Sequence, residues 1–160
     1  MKTGLTITEM AAELERQAAA KEDYLVNPLN MEMDPTGRVP MLRVVEGGVD
    51  QVEPLTIQET AHRQLGSHLN IPWKYYERML QEEPELLAHN VNHWLHKGEP
   101  TQRLLRTIDG KARAFLSNRY RCIDNFEIAT AVLPIIMEMQ GARFESTQIT
   151  ENYMYIKVVN

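Results

Sequence analysis

Residues 103–125 read RLLRTIDGKARAFLSNRYRCIDN, and this stretch concentrates the positive charge of an acidic protein. Residues 103–121 contain six Arg or Lys residues and one acid, a net charge of +5, whereas the 160-residue chain has a net charge of -5. The rest of the chain therefore sums to -10. This division predicts that the basic segment has an anionic partner: the protein's own acids, those of another copy, or phosphate.

The same stretch predicts a β-hairpin. Asp109-Gly110 suits a type I′ turn, and residues on both sides alternate with period two. A two-residue turn would place Arg106 opposite Arg113. One face would be small or apolar and suited to a core: Leu105, Thr107, Ala112, Ala114 and Leu116. The other face would be mainly cationic, with one aromatic ring: Leu104, Arg106, Ile108, Lys111, Arg113 and Phe115.

The cationic face and the residues after it form the candidate functional site. Basic side chains interleaved with an aromatic ring on a sheet surface hold single-stranded nucleic acid, because they neutralise its backbone and stack on its bases. The alternative is that the arginines form ion pairs with the protein's own acids. The predicted nucleic-acid-binding residues are Arg106, Lys111, Arg113, Phe115, Arg119 and Arg121.

Outward from the hairpin, capping signals predict helices. The pattern Thr-x-x-Glu at 6–9 and again at 56–59 is a capping box, and it predicts helices over about 8–21 and 57–69. Pro72 and Pro84 suit the first turns of two more helices, and Asp124 suits the N-cap of a helix to residue 140. Alternating patterns predict further strands at 41–45, 49–55, 142–149 and 153–159.

Together these elements predict an α+β fold, with a helical middle segment, 57–97, packed beside an antiparallel sheet that contains the Asp-Gly hairpin. We expect that sheet to be built from 103–116 and 142–159. The prediction is a single domain over residues 1–160, with segments 1–40, 41–100 and 101–160. Because the last residues, YMYIKVVN, are typical of the middle of a sheet, we expect the chain to be the N-terminal part of a longer protein.

Composition argues against several classes of protein. No apolar run approaches the roughly 18 residues of a membrane span, and the N-terminus lacks the apolar region of a secretory signal. Cys122 is the single cysteine, so it cannot form an internal disulfide, which favours a reducing cytoplasm. We therefore predict a cytoplasmic protein without a membrane partner.

Residues 64–79 are similar to a helix-turn-helix, with Gly66 four residues before Asn70. Its second helix offers Lys74 and Arg78 to phosphate but then runs into Gln-Glu-Glu at 81–83, which repels phosphate. The pattern favours an ordinary helical hairpin.

No pattern specifies an active site. His89, His93 and His96 share one helical face, but the last lies about 10 Å along the axis from the first, which disfavours a shared metal ion. The chain has no GxSxG motif and no glycine-rich phosphate loop. We predict no catalytic residue, no cofactor and no metal ligand, and an enzyme is the least supported class.

The pattern R-x-x-x-G-x-x-R-A-x-L-S-x-x-Y-x-x-x-D-N runs from Arg106 to Asn125. With this block, the chain resembles an uncharacterised phage/plasmid-like protein family over most of residues 40–140. The resemblance implies a phage, prophage or plasmid origin, a bacterial host cell and a full length about twice that of this chain. It implies no established activity, so it assigns no functional residue.

The sequence is compatible with two functions. The first is a phage- or plasmid-encoded, non-enzymatic protein that binds nucleic acid, single-stranded DNA in particular, through the basic hairpin. The alternative is a protein-interaction or self-assembling module of a mobile element with no nucleic-acid role. In that case the acidic helical part of one copy would meet the basic hairpin of the next and give a homo-oligomer.

Overall fold

The computed structural model describes residues 2–160, with side chains described from Gly4 onward. The predicted α+β class is confirmed. The helices are α1 (Ile7–Ala20), α2 (Glu59–His68), α3 (Trp73–Glu82), α4 (Pro84–Lys97) and α5 (Asn125–Glu138). The strands are β1 (Lys2–Leu5), β2 (Lys21–Val26), β3 (Met31–Asp34), β4 (Met41–Glu46), β5 (Val49–Asp50), β6 (Leu55–Ile57), β7 (Arg103–Ile108), β8 (Lys111–Ser117), β9 (Arg143–Ile149) and β10 (Met154–Val159).

The chain divides into two compact units, where the sequence patterns predicted one domain. Unit 1 combines the two ends of the chain, up to Lys21 and from Arg121, and unit 2 is the continuous segment Glu22–Tyr120. Within residues 2–160, no helix is long and apolar enough to cross a membrane.

Unit 1 is a three-stranded antiparallel sheet with two helices. The strand order is β1-β9-β10. The capping box predicted at the start of α1 is confirmed: Thr6 Oγ1 accepts from the Glu9 N–H at 3.2 Å, and the Glu9 carboxylate accepts from the Thr6 N–H at 2.8 Å. The core of this unit is Met10, Leu14, Ala129 and Ile149.

The expected sheet of 103–116 with 142–159 is wrong. The strands β9 and β10 pair with each other and β9 pairs with β1, whereas the hairpin β7–β8 belongs to the sheet of unit 2. Alternation along a strand specifies which side chains face a core, but it does not specify which other strand supplies the hydrogen bonds. The local pattern therefore gave the strands correctly and their partners incorrectly.

Unit 2 contains a seven-stranded mixed sheet. Its order is β2-β7-β8-β6-β4-β3, with β5 paired to β4, and β6 runs parallel to β8. The helices α2 and α4 pack on β8 and β3, and the core between helices and sheet includes Met31, Leu42, Leu65, Leu87 and Leu105.

The second predicted capping box is wrong, because Thr56 lies in β6 and pairs with Met41 and Lys111. The N-cap of α2 is Gln58, whose side chain makes no capping hydrogen bond. Strand pairing on both sides of Thr56 has taken precedence over a local cap. The α2–α3 hairpin is closed by Tyr76, whose ring lies so near Gly66 that a Cβ there would be 3.0 Å from Cδ2.

Candidate interaction surfaces

The basic hairpin contains a one-residue register shift. Ile108 pairs with Lys111 across a turn in which Asp109 and Gly110 have φ of 51° and 70°. Beyond Thr107, however, Arg106 pairs with Ala114 and not with Arg113. The predicted pairing of Arg106 with Arg113 is therefore wrong. Arg113 is the extra residue of a β-bulge, which places two residues of one strand opposite one of the other.

The bulge carries Phe115 into the core. Its side chain is 2% exposed, and its backbone N–H donates to Gln64 Oε1 at 2.7 Å. The guanidinium of Arg103 lies 4.9 Å from the ring centroid, and the His68 ring meets it edge-on at 5.3 Å. The predicted exposure of Phe115 is wrong, because a one-residue slip moves every later side chain to the opposite face of the strand.

Arg106 is also buried, at 7% exposed, and its partner is internal. Its Nε donates to the two carboxylate oxygens of Asp23 at 3.1 and 3.2 Å. Beside it, Thr107 Oγ1 donates to the backbone carbonyl of Glu22 at 2.9 Å. The Arg106–Asp23 ion pair thus links β7 to β2. The predicted position of Arg106 on an open cationic face is wrong, because the acid that neutralises its charge belongs to the protein itself.

Of the other four predicted residues, the three that belong to unit 2 do not form one patch. Lys111, Arg119 and Arg121 are exposed, and Arg113 is half-buried. Lys111 begins the seven-residue strand β8 and Arg119 lies beyond its end. Since a strand rises about 3.3 Å per residue, the Cα atoms of the first and last residues of β8 are about 20 Å apart.

Several large apolar side chains of unit 1 are exposed on α5, which has two apolar stripes at helical spacing. Ala129 is buried, and Leu133 packs with it against the core of unit 1. The second stripe is exposed by 41%, 39%, 64% and 52% and is called the α5 stripe: Ile128, Val132 and Ile135 on the helix, and Met139 at its C-cap. Sequence reasoning found the helix but missed this second stripe, although its spacing is visible in the sequence.

The surroundings of the α5 stripe are acidic. No Lys or Arg occurs between Arg121 and Arg143. Asp124, the residue at the N-cap, makes an ion pair with Lys21 and no side-chain capping bond. Glu127 and Glu138 are exposed near the two ends of the stripe and make no ion pair within the described residues.

The histidines of α4 have structural contacts. His96 Nε2 lies 2.9 Å from the Met31 carbonyl oxygen, to which it donates. The rings of His89 and His93 stack at 6.4 Å. Among residues 2–160, no group of three or more His, Cys, Asp or Glu side chains is placed to hold a metal ion.

Two exposed features of the protein therefore bear on its function. One is the α5 stripe of unit 1, and the other is the set of exposed basic residues at the ends of β8 in unit 2. Comparison of the chain with protein-family models, with curated proteins and with solved structures found no match.

Proposed function

We propose that this chain is a protein-interaction module that binds its partner through the α5 stripe. The observation that carries the proposal is the exposure of three large apolar side chains in one line on a helix, with a fourth at its C-cap, while the other apolar side of the helix is already packed. A helix that is apolar on all sides is normally covered on all sides, and contiguous exposed apolar surface marks interaction sites.

The partner is a different protein that presents an apolar helix face bordered by basic side chains. Glu127 and Glu138 lie near the two ends of the stripe, and opposite charges across an interface favour encounter and fix register. Pairing of α5 with α5 of a second copy would bring acids against acids in either orientation. The charge of the stripe's surroundings therefore argues against self-association through it.

A labelled amphipathic peptide of leucine and lysine tests this proposal, with a leucine–glutamate peptide of the same length as its control. We expect the basic peptide to bind and the acidic one not to bind. Ile135→Asp should weaken binding at least tenfold, because it removes about 1.5–3 kcal/mol of apolar burial and adds a charge. Val49→Asp, at a side chain 64% exposed in unit 2, is the matched control and should bind as the unaltered protein does. Fluorescence anisotropy measures both affinities.

Sedimentation of the protein alone identifies the kind of partner. We expect a monomer at tens of micromolar. A dimer that Ile135→Asp dissociates would show that a second copy covers the stripe, and it would overturn the proposal of a different partner. Equal peptide binding by Ile135→Asp and Val49→Asp would overturn the assignment to α5.

Binding of single-stranded nucleic acid is a second candidate function, and it rests on fewer residues than the sequence predicted. The observation in its favour is that Arg119 and Tyr120 are adjacent and exposed, the ring by 51%, in the segment after β8. Neither Arg119 nor Lys111 makes an ion pair within the described residues. A cation beside an exposed ring can neutralise a phosphate and stack on a base. The phage or plasmid setting rests on the family resemblance alone and fits either function.

The salt dependence of oligonucleotide binding tests the second candidate. If Lys111 and Arg119 each contact a phosphate of a labelled oligo-dT, replacing both by alanine should reduce the slope of log K against log salt by about 1.4. Lys74→Ala with Arg78→Ala, two exposed charges on α3, is the control and should leave the slope unchanged. Absent binding, or equal slopes for the two double variants, would remove this function.

A further inference from the structure

A groove of about 490 Å³ lies in unit 2 between the loop before β4, the end of β6 and the helices α2 and α3. Its walls include Val39, Trp73 and Leu80, and its polar lining includes Arg38, His62 and Glu77. Apolar walls combined with convergent polar groups, in a volume of several hundred Å³, are typical of small-molecule sites.

His62 lines this groove and is hydrogen-bonded to a buried tyrosine. Its Nδ1 lies 2.8 Å from the hydroxyl of the fully buried Tyr76. Burial lowers the pKa of His62 to about 4 and raises the pKa of Tyr76, so at neutral pH the ring is neutral and the hydroxyl keeps its proton. A hydroxyl that donates its proton to Nδ1 leaves the proton of the neutral ring on Nε2. Nε2 has no hydrogen-bond partner within the described residues, and His62 is part of the lining of the groove.

The lining of the groove also carries two separated charges. Glu59, a third ionisable group there, is bound by Arg63 at 2.8 Å. Arg38 and Glu77 make no ion pair with each other or with any other described residue. The groove thus has one uncompensated cation, one uncompensated carboxylate and apolar walls.

We infer that this groove binds a small zwitterion with an apolar body, namely a short apolar peptide with free termini. Its carboxylate would bind Arg38 and the Nε2–H of His62, its ammonium group would bind Glu77, and its side chains would contact the walls. A neutral apolar ligand would leave both charges without a partner, and an anion or a cation alone would meet one charge of its own sign. Because Arg38 and Glu77 form no ion pair, the two charged groups of the ligand must be separated as well, and the termini of two extended residues lie about 7 Å apart.

Trp73 provides the measurement, because it lies in the groove and the chain has only one other tryptophan. In a Trp94→Phe background, at a side chain 48% exposed, we expect leucyl-leucine to change the emission of Trp73 saturably. The same dipeptide with an acetylated N-terminus and an amidated C-terminus should not bind. Arg38→Ala and Glu77→Gln should each raise Kd at least tenfold, as expected for the loss of a charge-assisted hydrogen bond. Arg78→Ala, on α3 beside Glu77 but outside the groove, should leave Kd unchanged.

Equal binding of the free and blocked dipeptides would overturn the inference, since the groove would then recognise only apolar surface. Absence of a saturable signal, checked by calorimetry, would overturn it as well. Ile135→Asp should not alter dipeptide binding, so this result is independent of the function proposed for α5.

Discussion

Phe115→Ala is expected to lower the free energy of unfolding by about 3–5 kcal/mol. The ring is 2% exposed and is contacted by His68 and by the guanidinium of Arg103. Removal of the ring leaves a cavity in the core of unit 2. It also removes the cation–π contact of the partly buried Arg103 guanidinium. Urea unfolding, followed by circular dichroism, measures the change.

Tyr120→Ala is the matched control, since its ring is 51% exposed and its loss should change stability by no more than about 0.5 kcal/mol. The comparison separates a core aromatic residue from a surface one within the same segment. A stability loss for Phe115→Ala as small as that of Tyr120→Ala would mean that the register shift in the hairpin is absent and that Phe115 faces solvent.

Acidification from pH 6.5 to pH 4 is expected to remove about 3 kcal/mol of stability through His62 alone. The pKa of His62 is about 4 in the folded protein, because burial disfavours the charged ring, against an ordinary value of 6.5. Between these two values the unfolded chain binds a proton that the folded protein does not, so stability falls as pH falls. Each unit of pKa difference corresponds to about 1.4 kcal/mol. Below pH 4 this group contributes no further loss.

The change is measured as a difference between two variants, because carboxylates also titrate in this range. His62→Asn keeps an acceptor for the Tyr76 hydroxyl but cannot titrate, so its stability should depend less on pH than that of the unaltered protein. His89→Asn, at an exposed position, should keep the full dependence. Parallel pH profiles for the unaltered protein and His62→Asn would contradict the prediction.

The sequence predicted local structure well where a single residue type decides it. The capping box at Thr6, the helices beginning near Pro72 and Pro84, and the strands on both sides of Asp109-Gly110 all lie within a residue or two of their predicted places. These features depend on side chains three or four residues apart, or on the φ angle of one residue.

Contacts between distant parts of the chain could not be predicted in this way. Arg106 forms an ion pair with Asp23, which is 83 residues away in the sequence. This partner is the reason that the arginine can be buried. The bulge at Arg113 has no signal in the alternating pattern, and it alone decides the face on which Phe115 lies. The sequence therefore predicted the strands of the hairpin but not the register and the partners that decide which of its side chains are exposed.

The division of unit 1 between the two ends of the chain has a consequence for the order of events during synthesis. The apolar side of α1, Met10 and Leu14, is made early, yet it buries against Ala129 and Ile149, which are made 115 or more residues after Leu14. At about 5–20 residues per second, the partners of α1 are synthesised roughly 6 to 23 seconds after it. All of Glu22–Tyr120 is made within that interval. On the ribosome, unit 2 can therefore fold while α1 is still uncovered, and a chain that stops before residue 129 never covers it.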